Sequence, residues 1–391
     1  MPHILTLTGL FPSAVRPRHG IFVEERLRHL VARGNVTASV LAPVPWFPFT
    51  GQRFGEYADF ARTPEREKRY GIEVRYPRYL VVPKVGMTVA PLLLALGLLP
   101  HVRRLRREHP RLALIDSHFL YPDGVAACLL GLWLGIPVLM TARGSDVNLY
   151  TRYAAPRAMI RWAIRRAARV ITVSDALRDG LLALGADPGK VVTLRNGVDV
   201  QRFRPLDRNA ARARFGASGF TLLSVGNLLE IKGHHLVIEA LAELPGVTAL
   251  IAGDGPQRAS LERLARARGV ADRVRLLGNL PQEELVACYN AADSLVLASS
   301  REGMPNVVLE SLACGTPVIA TAVGGIPEII DSDSAGYLLT ERSASAIAAA
   351  VRVLQASPPE RVRVAAHGAR FSWEPTIQAL DRVIRESATR T

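Results

Sequence analysis

Short apolar runs alternate with amphipathic segments along nearly all of the 391 residues, and this alternation restricts the chain to α/β architectures built on parallel sheets. In the first half, Ile4–Thr8, Val36–Leu41, Ile72–Tyr76, Leu112–Asp116, Val138–Thr141, Val170–Val173 and Val191–Leu194 read as buried strands. Between them, Phe22–Ala32, a stretch from Thr88 into His101–Arg111, Gly124–Leu134, Ala154–Ala168 and Ala176–Leu184 carry helical periodicity, the last capped by Ser174 and Asp175. Pro43–Tyr70, polar and aromatic, reads as a long excursion, and the polar Gln201–Ser218 as an inter-domain linker. The alternation then restarts with strands Thr221–Val225, Val247–Ala252, Val274–Leu277, Ser294–Leu297 and Pro317–Thr321. Its helices are Leu236–Leu244, Arg258–Arg268, Gln282–Ala291, Ala344–Leu354 and Pro375–Glu386. Two such arrays imply two doubly wound, Rossmann-like domains facing across a cleft, spanning 1–198 and 199–372, with a tail helix in 373–391.

Composition narrows the functional classes. Three widely spaced cysteines (Cys128, Cys288, Cys314) give neither a disulfide framework nor a zinc spacing, which fits a reducing, cytoplasmic compartment. The opening MPHILTLTGLF reads as a first strand rather than a signal peptide. Val85–Pro100 is apolar but short for a membrane span and interrupted by Pro91, while Gly124–Ala142 splits into a helix and a strand. The net charge of +14 is compatible with nucleic acid, an anionic membrane surface or an arginine-rich genome. With aromatics at 6% and no nucleic-acid motif, nucleic acid is the weakest of these. Arg103, Arg104, Arg106 and Arg107 form one basic cluster, and Arg157, Arg161, Arg165 and Arg169 recur every four residues as a second. Both point to a peripheral membrane contact.

The densest chemistry lies between Ser294 and Gly325. An apolar strand leads into a loop carrying Glu302 and Gly303; Met304 and Pro305 follow, and Pro305 opens a short helix through Asn306, Val307 and Glu310 that stops near Gly315. Free N–H groups at such a helix start suit a phosphate, and a carboxylate within the helix suits vicinal sugar hydroxyls. Lys232-Gly233, between a strand end and a helix, could set a point charge on a diphosphate. Asp331-Ser332-Asp333 spells a metal-type motif, yet its place beside Gly336 reads as a solvated turn. No catalytic metal and no cofactor are expected.

Glu302 and Glu310 in E-x7-E spacing, then Gly315-Thr316-Pro317-Val318 and Gly324-Gly325-Ile326-Pro327-Glu328, resemble the signature of the retaining nucleotide-sugar glycosyltransferases of family four. With Tyr121-Pro122-Asp123-Gly124 and Arg143-Gly144-Ser145-Asp146, the chain is similar to the branch that builds bacterial surface polysaccharides, teichuronic-acid-type polymers and lipopolysaccharide sugars. The resemblance implies the two-domain GT-B fold, with a nucleotide-diphospho-sugar on the second domain and a saccharide or lipid-linked acceptor on the first. It also implies that Glu310 holds the ribose, that Lys232 neutralises the diphosphate, and that Glu302 and His118 position the sugar. Gly20 ends a loop approaching the pyrophosphate and acceptor, and Arg143 and Asp146 stand where many members have His-Gly-x-Asp. Asn227 replaces an arginine that usually accompanies the lysine; Arg195 or Arg301 could compensate. A nucleotide-sugar epimerase on the same fold, or a non-catalytic two-lobed binding protein, are the alternatives.

Overall fold

The apolar runs of the first array lie side by side in one sheet. The computed structural model describes residues 1–81 and 86–388; Val85, the first residue of the apolar stretch Val85–Pro100, lies outside them. The chain divides into one unit made of Met1–Asn196 and the segment from Glu374 onward, and a second made of Gly197–Trp373.

The strands of the first unit are β1 His3–Leu7, β2 Thr37–Leu41, β3 Val44–Pro45, β4 Arg66–Arg69, β5 Ile72–Arg75, β6 Arg78–Tyr79, β7 Leu112–His118, β8 Val138–Ala142, β9 Arg169–Thr172 and β10 Val191–Thr193. Eight of them form a sheet in the order β10-β9-β8-β7-β1-β2-β5-β4, parallel except for β4, which pairs antiparallel with β5. β3 and β6 form a separate parallel ribbon. The helices are α1 Ile21–Ala32, α2 Glu56–Arg62, α3 Gly86–Glu108, α4 Val125–Leu134, α5 Ser145–Asn148, α6 Ala154–Arg166 and α7 Asp175–Ala183. Strand order reverses between β7 and β1, and at that switch point the carboxyl ends of both strands open onto the loops that can hold a ligand.

In the second unit, β11 Thr221–Val225, β12 Thr248–Ala252, β13 Val274–Gly278, β14 Ser294–Leu297, β15 Val318–Thr321 and β16 Gly336–Leu339 form an all-parallel sheet in the order β13-β12-β11-β14-β15-β16. Its helices are α8 Arg208–Arg214, α9 His234–Ala240, α10 Arg258–Ala267, α11 Gln282–Ala291, α12 Asn306–Ala313, α13 Ala344–Ala356 and α14 Arg361–Ala369. Leu222, Val296 and Ile319 from the strands bury against Val237, Ile238, Ile347 and Val351 from the helices. A sheet covered on both faces needs near-continuous apolar strands, which is what SLVL and VIAT supply. The switch point here lies between β11 and β14.

Several local expectations need correcting. The segment read as a linker is built into the second unit: Phe203 is buried against Tyr289 at 6.1 Å between ring centroids, and Arg212 of α8 pairs with Asp293 at 3.2 Å. The excursion Pro43–Tyr70 contains α2 and the edge strand β4. Pro91 does not interrupt its helix, for α3 runs unbroken through Pro91 and Pro100. A proline lacks the N–H that would bond the carbonyl four residues back; at Pro91 the orphaned Met87 carbonyl accepts from the Tyr121 hydroxyl instead. Arg169 does not continue the stripe on α6; it opens β9 and pairs with Glu386 at 3.8 Å. The tail helix, α15 Trp373–Ala388, starts in the second unit and belongs to the first from Glu374.

Candidate active site

In the second unit, β11 runs into the loop Gly226–Gly233 and β14 into the segment that leads to α12, so the switch point places Lys232 beside Glu302. The Lys232 ammonium donates to Glu302 Oε1 at 2.6 Å, and the Ser299 hydroxyl donates to the same oxygen at 2.7 Å. Both charged side chains are largely withdrawn from solvent, Glu302 to 10% exposure and Lys232 to 24%. The lysine stem passes over Gly226.

What brings the two loops together is Gly233. Its φ of +73° is left-handed, and a Cβ there would overlap the carbonyl oxygen of Ala298 at the end of β14. The Ser300 N–H donates to the Ile231 carbonyl at 2.8 Å, and Arg342 ties both loops, donating at 2.8 Å to the carbonyls of Ala298 and Glu230. Beneath Asn227, which is exposed, the buried His234 donates from Nε2 to the Asn227 carbonyl at 3.3 Å and accepts the Ser224 hydroxyl at Nδ1 at 2.9 Å. Burial pushes the His234 pKa down to about 4, so the ring is neutral and serves as a brace.

Gly303, Met304 and Pro305 are buried, Pro305 caps α12, and Asn306 and Val307 form its half-buried first turn. Glu310 lies one turn in, where the hydroxyl of Tyr289 on α11 donates to its Oε2 at 2.7 Å. Burial, and then the Glu310 charge, raise the Tyr289 pKa far above that of a free phenol, so the proton stays on the donor.

In the first unit, α1 and the ends of β7 and β8 hold a buried polar chain. Arg26 donates to both oxygens of Asp116 at 3.3 Å and to the Thr141 hydroxyl at 3.1 Å. Asp116 Oδ2 lies 3.3 Å from His118 Nε2, and Arg143 Nη2 lies 2.6 Å from His118 Nδ1. Since a guanidinium only donates, Nδ1 is the acceptor and Nε2 carries the proton. Burial pushes the His118 pKa down to about 3 against the pull of Asp116, with Arg26 and Arg143 adding to the shift. Burial acts the other way on Asp116, but Arg26 and His118 hold its carboxyl down to about 2. His118 is thus a buried, neutral ring with both nitrogens engaged by protein groups, and Arg143 is the half-exposed end of the chain. The Arg143 guanidinium also donates to Asn196 Oδ1 at 2.9 Å and lies 4.9 Å from the centre of the Phe22 ring. Burial, then Arg26, lower its pKa to about 9.

Asp146 is fully buried and accepts the backbone N–H groups of Leu120, Arg143, Gly144 and Val147 at 2.8–3.1 Å, so it shapes the loops that present His118 and Arg143. Gly20 caps α1 with φ +71°, and a Cβ there would overlap the Leu10 carbonyl, which fixes the hairpin of the first loop. That loop borders a cavity of about 240 Å³ lined by Gly9, Arg16, His19, Glu56, Phe60 and Tyr79, among others. Arg16 pairs with Glu56 across it at 2.7 Å, and His19 Nε2 donates to the Gly9 carbonyl at 3.0 Å. Asp123 accepts the Gly9 N–H at 2.7 Å from below, and burial pushes its carboxyl up to about 7.

The structure therefore joins Lys232 to Glu302 in one unit, and Gly20 (through Phe22 of its helix), His118, Arg143 and Asp146 in the other. The Arg195 guanidinium pairs with Asp175 at 2.5 Å in the first unit. Of the residues that brace the site, Ser299 lay within the motif, whereas Tyr289, His234 and Arg342 carry no motif signal and are revealed only by packing.

Comparisons with known proteins agree with this geometry. Residues 207–371 match the family described as glycosyl transferases group 1, and residues 21–202 match glycosyltransferase family 4. The glycosyltransferase TuaC of Bacillus subtilis (strain 168), assigned to teichuronic acid biosynthesis, is 31% identical over 89% of this chain and 88% of its own length. Sucrose-phosphate synthase from Thermosynechococcus elongatus superposes with a TM-score of 0.79 at 20% identity, over 98% of each chain. Anabaena HepE in complex with UDP-glucose superposes with a TM-score of 0.73 at 18% identity, over 98% of this chain and 100% of the other. Two Rossmann-like units, the motif in place at the switch point and full-length relatedness lead to one conclusion: the chain belongs to the family-four glycosyltransferases and has the GT-B fold.

Proposed function

We propose that this enzyme moves a sugar from a UDP- or GDP-sugar to a saccharide or lipid-linked acceptor in the synthesis of a bacterial surface polysaccharide, with retention of configuration and without a metal. The Lys232–Glu302 pair at the β11/β14 switch point, beside the start of α12, is the observation that carries the reading. A lysine ammonium and a helix start are the groups that would receive a diphosphate, and they gain strength where charge develops on the departing phosphate. Gly303, Met304, Pro305, Asn306 and Val307 supply the backbone of that cradle, with Asn227 at the facing loop. Glu310, oriented by Tyr289, accepts the two ribose hydroxyls. Glu302 orients the sugar.

In this mechanism the bond from the anomeric carbon to the diphosphate oxygen breaks as the acceptor hydroxyl attacks from the same face. The hydroxyl proton passes to the leaving phosphate, so no side chain forms a covalent intermediate. Arg143, held by His118 and Asn196, presents a cation from the first unit, and Gly20 and Asp146 fix the loops around it. The kinship with TuaC supports an envelope polymer as the product, and the UDP-glucose complex of HepE supports a nucleotide-sugar donor. A cytoplasmic enzyme working at the inner face of the membrane would meet both substrates.

The test is a panel of UDP- and GDP-sugars scored for nucleotide diphosphate release, with and without membrane lipid extract, on the wild type and Glu310→Ala. Acceptor-dependent release by the wild type and its loss in the variant are expected. A folded Glu310→Ala enzyme that transfers sugar normally overturns the assignment, and conversion of the donor without any acceptor would indicate an epimerase.

A further inference from the structure

The helix α3 is buried on one side only. Leu94, Leu98, Val102 and Leu105 pack into the first unit, and Gly97 abuts Tyr79 of β6. On the other side Met87, Leu92 and Leu96 stand in solvent, and over its most apolar 18 residues only 28% of the helix is buried. Further along this exposed side the apolar residues give way to Arg103 and Arg107. Arg104 is engaged by Glu108 and Arg106 by the Leu134 carbonyl, while Arg103 and Arg107 have no carboxylate partner among the described residues.

An aromatic ledge adjoins the helix. The Trp46 N–H bonds the Tyr79 carbonyl at 2.8 Å, which sets the ledge next to Gly97. Rings of Phe47, Phe49, Phe54, Tyr57 and Phe60 form a chain of contacts 5.3–5.9 Å apart, and Trp46, Phe49, Tyr57, Leu80 and Val81 are all exposed. Phe60, at the inner end of that chain, lines the cavity that holds Arg16 and His19.

We propose that this surface docks on an anionic bilayer, with α3 lying in the interface rather than crossing it. A helix packed into a folded unit along one side does not span a membrane, whereas an apolar stripe ending in arginines matches the acyl boundary and its phosphates. Exposed aromatic rings sit at the same depth. The inference deepens the reading of the acceptor as lipid-linked: the ring chain leads from the bilayer surface to the cavity, a route along which the chain of a lipid acceptor can lie while its polar head reaches Arg16 and His19.

Vesicle flotation without donor or acceptor tests docking separately from sugar transfer, using vesicles of phosphatidylcholine alone and of an equimolar mixture with phosphatidylglycerol. The wild type should float with the anionic vesicles and be released by salt. Leu92→Glu with Leu96→Glu should abolish flotation, and Arg103→Gln with Arg107→Gln should weaken it about 30-fold, roughly fivefold for each cation. Wild-type protein that stays in solution, or a Leu92→Glu/Leu96→Glu variant that floats as before, overturns the proposal. So does a concentration-dependent dimer in sedimentation velocity that these two substitutions dissolve, because a second copy would then cover the stripe. Failed transfer with intact flotation would count against the proposed reaction alone.

Discussion

Replacing Glu302 by glutamine should tighten the binding of a free nucleoside diphosphate while impairing sugar transfer. The carboxylate competes for the lysine that a diphosphate needs, at 2.6 Å and with both side chains mostly shielded from water. Glutamine keeps the shape and can still accept from Ser299 and Lys232, so only the charge is lost. The ammonium stays charged in the variant, so the two bonds differ only by the carboxylate charge, worth about 1–1.5 kcal/mol for a pair mostly shielded from water. At about 1.4 kcal/mol per decade, the Kd for UDP or GDP should fall about five- to tenfold. Isothermal titration calorimetry of the wild type, Glu302→Gln and Lys232→Met measures this directly, with acceptor-dependent release assayed in parallel. The lysine variant should lose diphosphate affinity altogether. If Glu302→Gln binds the diphosphate no better than the wild type, the idea that Glu302 holds the lysine in reserve is refuted.

Tyr289→Phe removes from a buried ring the hydroxyl that donates to Glu310; it should weaken UDP or GDP binding about tenfold while leaving the thermal midpoint within a few degrees, by calorimetry and thermal melt. Gly233→Ala forces a left-handed side chain into the Ala298 carbonyl, costing about 2 kcal/mol or more and lowering Tm by about 4–8 °C; an unchanged melt would contradict the close approach. Asp123, at about 7 in the fold against 3.8 when unfolded, binds its proton more tightly in the folded state, so its contribution to stability is full below pH 3.8 and drains away as pH rises to about 7. Asp123→Asn escapes that loss, so its Tm should gain on the wild type between pH 4 and 7 and hold the gain above; a constant difference across the range would refute the buried, protonated state.

Both switch-point strands and the loop glutamate were legible because their residue types are dictated by backbone geometry: buried parallel strands need apolar runs, and a loop pressed against a carbonyl needs glycine, as at Gly233. The pairing of Lys232 with Glu302 was not, since spacing along a chain reveals which segments are buried but not which side chains meet across a sheet. β4 escaped notice because Arg66–Arg69 has no apolar residue; it is an edge strand held by its backbone pairing with β5. α8 was hidden for a related reason, being a short basic helix whose arginines are matched by Asp293 and Glu284 on a distant segment. The tyrosine that takes up the Met87 carbonyl explains how α3 passes through Pro91.

The first unit is not continuous in sequence, and this has consequences for how it is made. Ile377, Leu380 and Ile384 of α15 are buried, Glu374 pairs with Arg33 at 2.5 Å, and the Thr376 hydroxyl reaches the Arg195 carbonyl from 181 positions away. A nascent chain with its first 196 residues out of the ribosome therefore has an apolar groove awaiting its last helix throughout synthesis of the second unit. Such a chain has a window of exposure to chaperones and proteases that closes only when α15 arrives, and fragments cut ahead of that helix should be made insoluble even though they retain every strand of the first sheet.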